Sequence, residues 1–205
     1  MLKEISDFLV SVLGTNSIEI TATLLGIINV ALIIRRSIWN YPFGIAMVIL
    51  YAWIFFDYKL YAEAGLQVYF LMIQFVGWYW WMHGRGQDGK INVLRVSLGE
   101  AGLCAATGAS LIAVLGFTLN RYTDASLPYL DSAVTSLSII AQFLLARQRL
   151  ESWLVWIATD ILAIGIYLYK GMHPTAFLYV VFLFMAVAGF RSWSRNAAST
   201  RAVSP

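Results

Sequence analysis

The sequence predicts an all-α polytopic membrane protein in which seven transmembrane helices are arranged as three helices, a linker helix and three further helices. The chain is 60% hydrophobic and only 12% charged, and its mean hydropathy is +0.72, well above the range of soluble domains. Its apolar residues form runs of about 20, the length that crosses a bilayer. The charged residues cluster between these runs. A membrane β-barrel would show alternating segments of about 10 residues instead.

A short amphipathic stretch precedes the apolar runs. Residues 2–13 place their apolar side chains near one helical face, which predicts an interfacial helix rather than a span. The predicted spans cover residues 19–35, 41–57, 61–81, 94–118, 131–147, 152–169 and 174–192. Several are slightly short, which suits helices that pack on one another around a cavity. We therefore treat residues 1–205 as one membrane domain.

The positive charges predict the orientation of the chain. Seven spans place the two termini on opposite sides of the membrane. If the N-terminus lies outside, four Lys and Arg residues lie outside and ten lie inside. Because cytoplasmic loops carry the excess of Lys and Arg, this count predicts an N-out, C-in topology.

The chain also repeats itself at one fixed spacing, the distance along the sequence from Thr23 to Thr135, without any gap. We call this spacing the repeat offset. The other informative matches are Arg35 with Arg147, Gly77 with Gly189 and Trp81 with Trp193. They define two three-helix bundles, residues 19–81 and 131–193, joined by the helix over residues 94–118. A single linker helix leaves both bundles in the same orientation, so the sequence predicts a parallel repeat about an axis along the membrane normal.

Polar and aromatic side chains follow one face of several predicted helices. Positions spaced three and four residues apart share a helical face. One such face holds Asp131, Thr135, Ser138 and Gln142, and the next helix holds Trp153, Trp156, Asp160 and Tyr167. A purely structural hairpin needs neither line, so we interpret the two faces as the wall of a polar, aromatic cavity.

The two halves differ in this lining. Gly44 and Val48 stand where the second half has Trp156 and Asp160. The third helices reverse the pattern, because the first-half helix carries Gln67 and Gln74 on one face. A symmetric scaffold with an asymmetric lining suits a transporter for an asymmetric small molecule.

Two blocks of sequence resemble the PnuC family of vitamin transporters. They are LYAEAGLQVYF with the closing GWYWW, and AQFLLARQRLESWLVW. The resemblance extends over about residues 19–193 and implies a full-length relative of the SWEET sugar transporters in the bacterial cytoplasmic membrane. It further implies a homotrimer. It also implies facilitated diffusion, in which a cytoplasmic kinase phosphorylates the substrate and thereby favours net uptake. The best-known members carry nicotinamide riboside, and related members carry thiamine or riboflavin.

Nicotinamide riboside offers a cationic pyridinium, an amide and ribose hydroxyls. A Trp or Tyr face attracts a desolvated cation by about 1–2 kcal/mol, and Asp160 is the carboxylate deepest in a span. Thiamine is also a cationic aromatic molecule and suits the same lining. The candidate substrate-binding residues are Trp156, Gln142, Asp160, Trp153, Gln67, Tyr179, Asn29, Thr135, Ser138 and Gln74. We expect the ligand between the bundles near mid-membrane, with a ring face from Trp156 and a hydrogen bond from Gln142.

Structural explanations for these residues stay open at this point. Asp160 can make a hydrogen bond between helices, which an intramembrane carboxylate often does. Trp153 can anchor its helix at the membrane interface. The Asn and Gln side chains can hold helices together through interhelical hydrogen bonds.

Other classes of protein fit the sequence less well. A membrane enzyme needs a nucleophile and base or metal ligands, but His83 and His173 lie near helix ends and Cys104 is alone. A retinal photoreceptor needs a lysine within its last helix, and Lys170 precedes that helix. The sequence contains no GxxxxGK[ST] motif, which would indicate an ATP motor. We expect no cofactor, metal or nucleic-acid partner, and a receptor would leave the asymmetric lining unexplained.

Overall fold

The computed structural model describes residues 17–59, 61–84, 89 and 91–203, and it is built from α-helices. These are α1 (Ser17–Ile34), α2 (Asn40–Asp57), α3 (Tyr61–His83), α4 (Leu98–Tyr122), α5 (Pro128–Ala146), α6 (Ser152–Tyr169) and α7 (His173–Val203). The all-helical class predicted from the sequence is confirmed. The interfacial helix predicted for residues 2–13 lies outside the described residues.

Six of the helices in the described part of the chain are long and apolar enough to cross a membrane. They are α1, α2, α4, α5, α6 and the His173–Ala197 part of α7. Helix α3 is not in this group, although its 23 residues correspond to about 35 Å of helix. It carries Glu63, Gln67 and Gln74, which lower its hydropathy. Its span stays a prediction.

The bounds of α4 and α7 differ most from the predicted spans, and α4 ends at Tyr122 rather than at residue 118. Helix α4 begins at Leu98 rather than at residue 94, because the Ser97 hydroxyl accepts the backbone N–H of Glu100 at 3.2 Å and caps the helix. The backbone of Leu94 is engaged elsewhere: it donates to the Gln148 carbonyl and accepts from the Leu150 N–H. Helix α7 continues to Val203, since hydropathy marks only the apolar part of a helix.

The chain folds into two compact units, Met1–Asn92 (unit 1) and Val93–Pro205 (unit 2). In unit 1, α2 packs against both α1 and α3. In unit 2, α5 packs against α4 and α6, and α6 also packs against α7. The central helix of each three-helix series, α2 or α6, therefore contacts both of its neighbours.

The turns within the two units share the same backbone geometry. After α1, Arg36 adopts φ 56°, and its counterpart at the repeat offset, Gln148, adopts φ 61°. After α2, Lys59 adopts φ 60°, and its counterpart, Gly171, adopts φ 70°. A left-handed residue closes a helix by satisfying its last carbonyl groups. The first two helices of each series are thus joined by a turn of one type.

A buried aromatic pair also recurs at the repeat offset. In unit 1 the Tyr41 ring lies edge-on to Trp81, with ring centroids 5.3 Å apart and an interplanar angle of 89°. In unit 2, Trp153 lies edge-on to Trp193 at 5.5 Å and 86°. Such pairs contribute about 0.5–1.5 kcal/mol beyond the area they bury. Each pair packs the second helix of its series against the third.

A polar contact ties the start of the first helix to the end of the second in each unit. The Tyr58 hydroxyl donates to Glu19 Oε1 at 3.1 Å. At the equivalent positions, Lys170 Nζ donates to the Asp131 carboxylate at 3.0 and 3.1 Å. The hydrogen bond to the Glu19 carboxylate is the largest cause that raises the pKa of Tyr58, and the negative charge of Glu19 raises it further. Different side chains therefore make the same connection in the two units.

We predict that Gly189→Ala destabilises the protein. A Cβ at residue 189 would lie 2.6 Å from three atoms of the Trp153 ring, and overpacking of this kind costs about 1–3 kcal/mol. The melting temperature in detergent should fall by about 2–12 °C. Gly165→Ala is the matched control, because a Cβ at residue 165 in α6 meets no atom within 4 Å. Equal melting temperatures for the two variants would contradict the close contact.

Candidate functional site

The ten predicted site residues are distributed over both units. Unit 1 holds Asn29 on α1 and Gln67 and Gln74 on α3. Unit 2 holds Thr135, Ser138 and Gln142 on α5, Trp153, Trp156 and Asp160 on α6, and Tyr179 on α7. The structure brings some of these side chains together within a unit, and it gives others a role in packing.

Two buried carboxamides of unit 1 lie against the backbone of α2 at Gly44. Asn29 Nδ2 donates to the Asn40 carbonyl oxygen at 2.7 Å, which fixes its position. A Cβ built on Gly44 would overlap Nε2 of Gln74 and would lie 2.7 Å from Asn29 Nδ2. We call Asn29, Gln74 and Gly44 the amide cluster.

The two amides of this cluster differ in their hydrogen bonding. Gln74 is only 4% exposed, yet its side chain makes no hydrogen bond to any other residue that the structure describes. Gln67, two turns earlier on α3, is half-buried. Gln74 therefore has donors and an acceptor that no described residue uses.

A buried carboxylate lies on α6 of unit 2. Asp160 is 3% exposed, and within the described part of the chain its carboxylate has neither a hydrogen bond nor an ion pair. Trp156 is half-buried and lies one turn earlier on the same face. An unpaired carboxylate in a span is costly and typically marks a functional position. This side chain and the neighbouring indole combine an acidic group with an aromatic face.

Trp153 is enclosed within unit 2. Its side chain is 2% exposed, its ring covers Gly189 and meets Trp193 edge-on, and its Nε1 has no hydrogen-bond partner among the described residues. The ring of Trp153 therefore packs between α6 and α7. Its roles in binding and as an interfacial anchor both stay predictions.

The polar line of α5 is half-buried. The hydroxyls of Thr135 and Ser138 donate to the carbonyl groups four residues earlier, at 3.1 and 2.8 Å, as is common for these residues within helices. Gln142 lies on the same line, and its side chain makes no hydrogen bond to the residues that the structure describes. Gln142 is therefore the member of the line whose donors are available to a ligand.

Tyr179 belongs to an aromatic cluster that joins α6 to α7. Its ring stacks on Tyr167 at 5.3 Å and 23°, and Phe182 lies edge-on to it at 6.3 Å and 82°. Tyr167 belongs to the aromatic line predicted for α6. The two tyrosines thus extend the aromatic surface of that face.

Two grooves run along α4 in unit 2, with volumes of about 360 and 540 Å³. Neither is lined by any of the ten predicted site residues. The smaller groove contains the ion pair between Arg149 and Glu100, with nitrogen and oxygen 2.9 Å apart. Among the described residues, no group of three His, Cys, Asp or Glu side chains is placed to bind a metal ion.

Gly44 and Asn40 are not among the predicted site residues. Asn40 supplies the carbonyl oxygen that holds Asn29, a backbone contact for which a sequence carries no signal. Gly44 does have a signal, because the repeat offset places this glycine opposite Trp156. A position that exchanges glycine for tryptophan marks a change in the space available beside the second helix.

The comparisons with known proteins agree with this architecture. Residues 16–195 match the family model described as nicotinamide mononucleotide transporter. The nicotinamide riboside transporter PnuC of Escherichia coli strain K12 is 27% identical, covering 88% of this chain and 86% of its own length. The riboflavin/roseoflavin transporter RibM of Streptomyces davaonensis is 26% identical, covering 85% and 83%.

A solved structure is also similar. The crystal structure of the vitamin B3 transporter PnuC superposes with a TM-score of 0.71 at 26% identity, covering 87% of this chain and 81% of that one. The helical architecture and these relatives define a multi-pass transporter of the bacterial inner membrane. The chain belongs to the nicotinamide mononucleotide transporter family, and the PnuC resemblance seen in its sequence is confirmed.

We predict that Asp160→Val stabilises the unliganded protein. Val48 occupies the equivalent position in unit 1 and is 1% exposed, so a valine suits this environment. Removing an unpaired buried carboxylate should recover about 1–3 kcal/mol, which raises the melting temperature by about 2–12 °C. Asp131→Asn is the control, since Asp131 is paired with Lys170 and should not gain stability. A lower melting temperature for Asp160→Val would indicate that the carboxylate has a structural partner.

Proposed function

We propose that the protein takes up nicotinamide riboside across the cytoplasmic membrane by facilitated diffusion. The observation that carries this proposal is the buried, unpaired carboxylate of Asp160 one turn from the half-buried Trp156 ring. A cationic pyridinium compensates such a carboxylate and stacks on such a ring. Three of the relatives, from E. coli, Neisseria mucosa and Haemophilus influenzae, bear the name of nicotinamide riboside transporter.

The chemistry of unit 2 matches the parts of this substrate. The attraction between a desolvated cation and an indole face is about 1–2 kcal/mol, and the carboxylate of Asp160 adds a charge of opposite sign. The side chain of Gln142 provides donors and an acceptor for the nicotinamide amide or the ribose hydroxyls. A transporter must release its substrate, so a few contacts of this size are suitable.

The topology of this transporter would be three helices, a linker and three helices, with the N-terminus outside and the C-terminus inside. The recurrence of turns, aromatic pairs and polar ties at the repeat offset supports a parallel repeat. The distribution of Lys and Arg supports the orientation. In this arrangement α3 is the seventh span.

The driving force would lie outside the chain. The sequence has no Walker-type motif for an ATP motor, and the family resemblance implies a cytoplasmic kinase that traps the substrate by phosphorylation. The resemblance also implies a homotrimer. In this proposal the protein itself performs no covalent chemistry.

Riboflavin and thiamine are the second candidates. The RibM relative is named a riboflavin/roseoflavin transporter, and thiamine is a cationic aromatic molecule like nicotinamide riboside. Riboflavin is neutral and would leave the charge of Asp160 uncompensated, so the buried carboxylate favours the two cations. Calorimetric titration of the purified protein with all three vitamins tests the proposal, and tighter binding of riboflavin or thiamine than of nicotinamide riboside would overturn it.

We predict that Trp156→Ala weakens nicotinamide riboside binding by about 1–3 kcal/mol, through the loss of stacking and cation–π attraction. This corresponds to roughly a five- to a hundred-fold higher dissociation constant. Trp156→Phe should lose less, and Gln142→Ala should lose about 1 kcal/mol. Calorimetry on folded variants measures these differences. If Trp156→Ala bound as tightly as the parent, the face of Gln67 and Gln74 would be the better candidate for the site.

We also predict that proteoliposomes equilibrate the substrate without concentrating it. A facilitator lets the internal concentration rise only to the external one, whatever ion gradient is imposed. Enclosing a nicotinamide riboside kinase with ATP should then produce accumulation of the phosphorylated product. The measurement is uptake of labelled substrate, and protein-free liposomes are the control. Accumulation of unmodified substrate under a sodium or proton gradient would refute uncoupled transport.

A further inference from the structure

Three equivalent positions of the two units exchange small and large side chains. At the repeat offset, Gly44 corresponds to Trp156, Asn29 to Ala141, and Gln74 to Ala186. Unit 1 has its small residue on the second helix and its larger amides on the first and third helices. Unit 2 has a large ring on the second helix and buried alanines on the other two. At these positions unit 1 thus has its larger side chains on the first and third helices, and unit 2 has its larger side chain on the second helix.

Gly44 is required for close approach rather than for backbone conformation. It lies within α2 and is not among the residues with positive φ. A Cβ at this position would overlap the Gln74 carboxamide and crowd the Asn29 carboxamide. Asn29 is held by its 2.7 Å hydrogen bond to the Asn40 carbonyl. The closest contact of the added Cβ is to Gln74, so Gln74 is the side chain that must move furthest.

Gln74 differs from an ordinary structural amide. A buried amide that serves only to join helices makes hydrogen bonds in the folded protein. Gln74 is almost wholly buried but has no hydrogen bond among the described residues. Asn29, its neighbour in the amide cluster, is bonded. The Gln74 carboxamide beside Gly44 thus makes no hydrogen bond to the residues that the structure describes.

We infer that Gly44 is a positioning residue that holds the Gln74 carboxamide ready to hydrogen-bond a neutral polar group of the substrate, an amide or a hydroxyl. This inference rests on the proposed function and adds a specificity determinant in unit 1. The carboxamide bonds to the substrate, and Gly44 acts only through the space that it leaves. Substrates without a suitably placed donor or acceptor leave Gln74 unsatisfied and are discriminated against.

Stability and binding should respond in opposite directions if Gln74 serves the ligand. Gln74→Leu removes an unsatisfied amide at similar volume, so the melting temperature of the unliganded protein should stay equal or rise. The same change should weaken binding about fivefold, the effect of one neutral hydrogen bond. A purely structural glutamine would lower the melting temperature when replaced.

The test combines calorimetry with thermal unfolding for four variants. Gly44→Ala should weaken nicotinamide riboside binding about fivefold, whereas Gly65→Ala on α3, where a Cβ meets no atom within 4 Å, should leave it unchanged. Gly44→Ala combined with Gln74→Leu should bind no more weakly than Gln74→Leu alone, because both changes act on the same hydrogen bond. Thiamine and riboflavin are titrated in parallel, and the vitamin that the parent binds is used for every variant.

The outcomes separate this inference from the proposed function. A parent that binds thiamine or riboflavin in place of nicotinamide riboside overturns the proposed substrate, and the Gly44 and Gln74 variants still test the inference with that vitamin. A parent that binds none of the three overturns both. Full affinity in either Gly44→Ala or Gln74→Leu overturns the inference alone, as does a Gln74→Leu protein with a lowered melting temperature.

Discussion

In each unit an aromatic residue at the start of the second helix packs edge-on against a tryptophan near the end of the third. This contact sets the orientation of the second helix about its own axis. In unit 2, Trp153 against Trp193 fixes the rotation of α6, and this rotation decides where Trp156 and Asp160 face, because they lie three and seven residues further along the same helix. In unit 1, Tyr41 against Trp81 fixes α2 in the same way. The side chains further along α2 and α6 thus face where this aromatic packing directs them.

Sequence periodicity predicted the helices well and their partners poorly. Helix α6 has the bounds expected from hydropathy, and the buried position of Asp160 followed from its place within an apolar run. Periodicity identifies the face that a residue occupies, but it does not identify the neighbour that covers that face. For this reason the sequence could not separate Trp153, which is covered by Gly189, from Trp156. The start of α4 was missed because the Ser97 cap and a backbone contact override an apolar run.

The two units bury polar side chains of different chemistry. Unit 1 buries the neutral carboxamide of Gln74, and unit 2 buries the acidic side chain of Asp160. The small residues nearby, Gly44, Ala141 and Ala186, are as informative as the polar ones, since they define the space that remains.

The left-handed residues at Arg36 and Gln148 have a consequence for the evolution of the chain. Each closes a turn of fixed length between two helices, and the register of the repeat passes through both turns without a gap. One inserted residue in such a turn would rotate the entry of the following helix by about 100°. A substitution can alter the lining of either half by one side chain, whereas an insertion in the turn would change the direction of every side chain on the following helix. Divergence among relatives of different specificity should therefore be found in the identity of the residues that follow these turns, while the lengths of the turns stay the same.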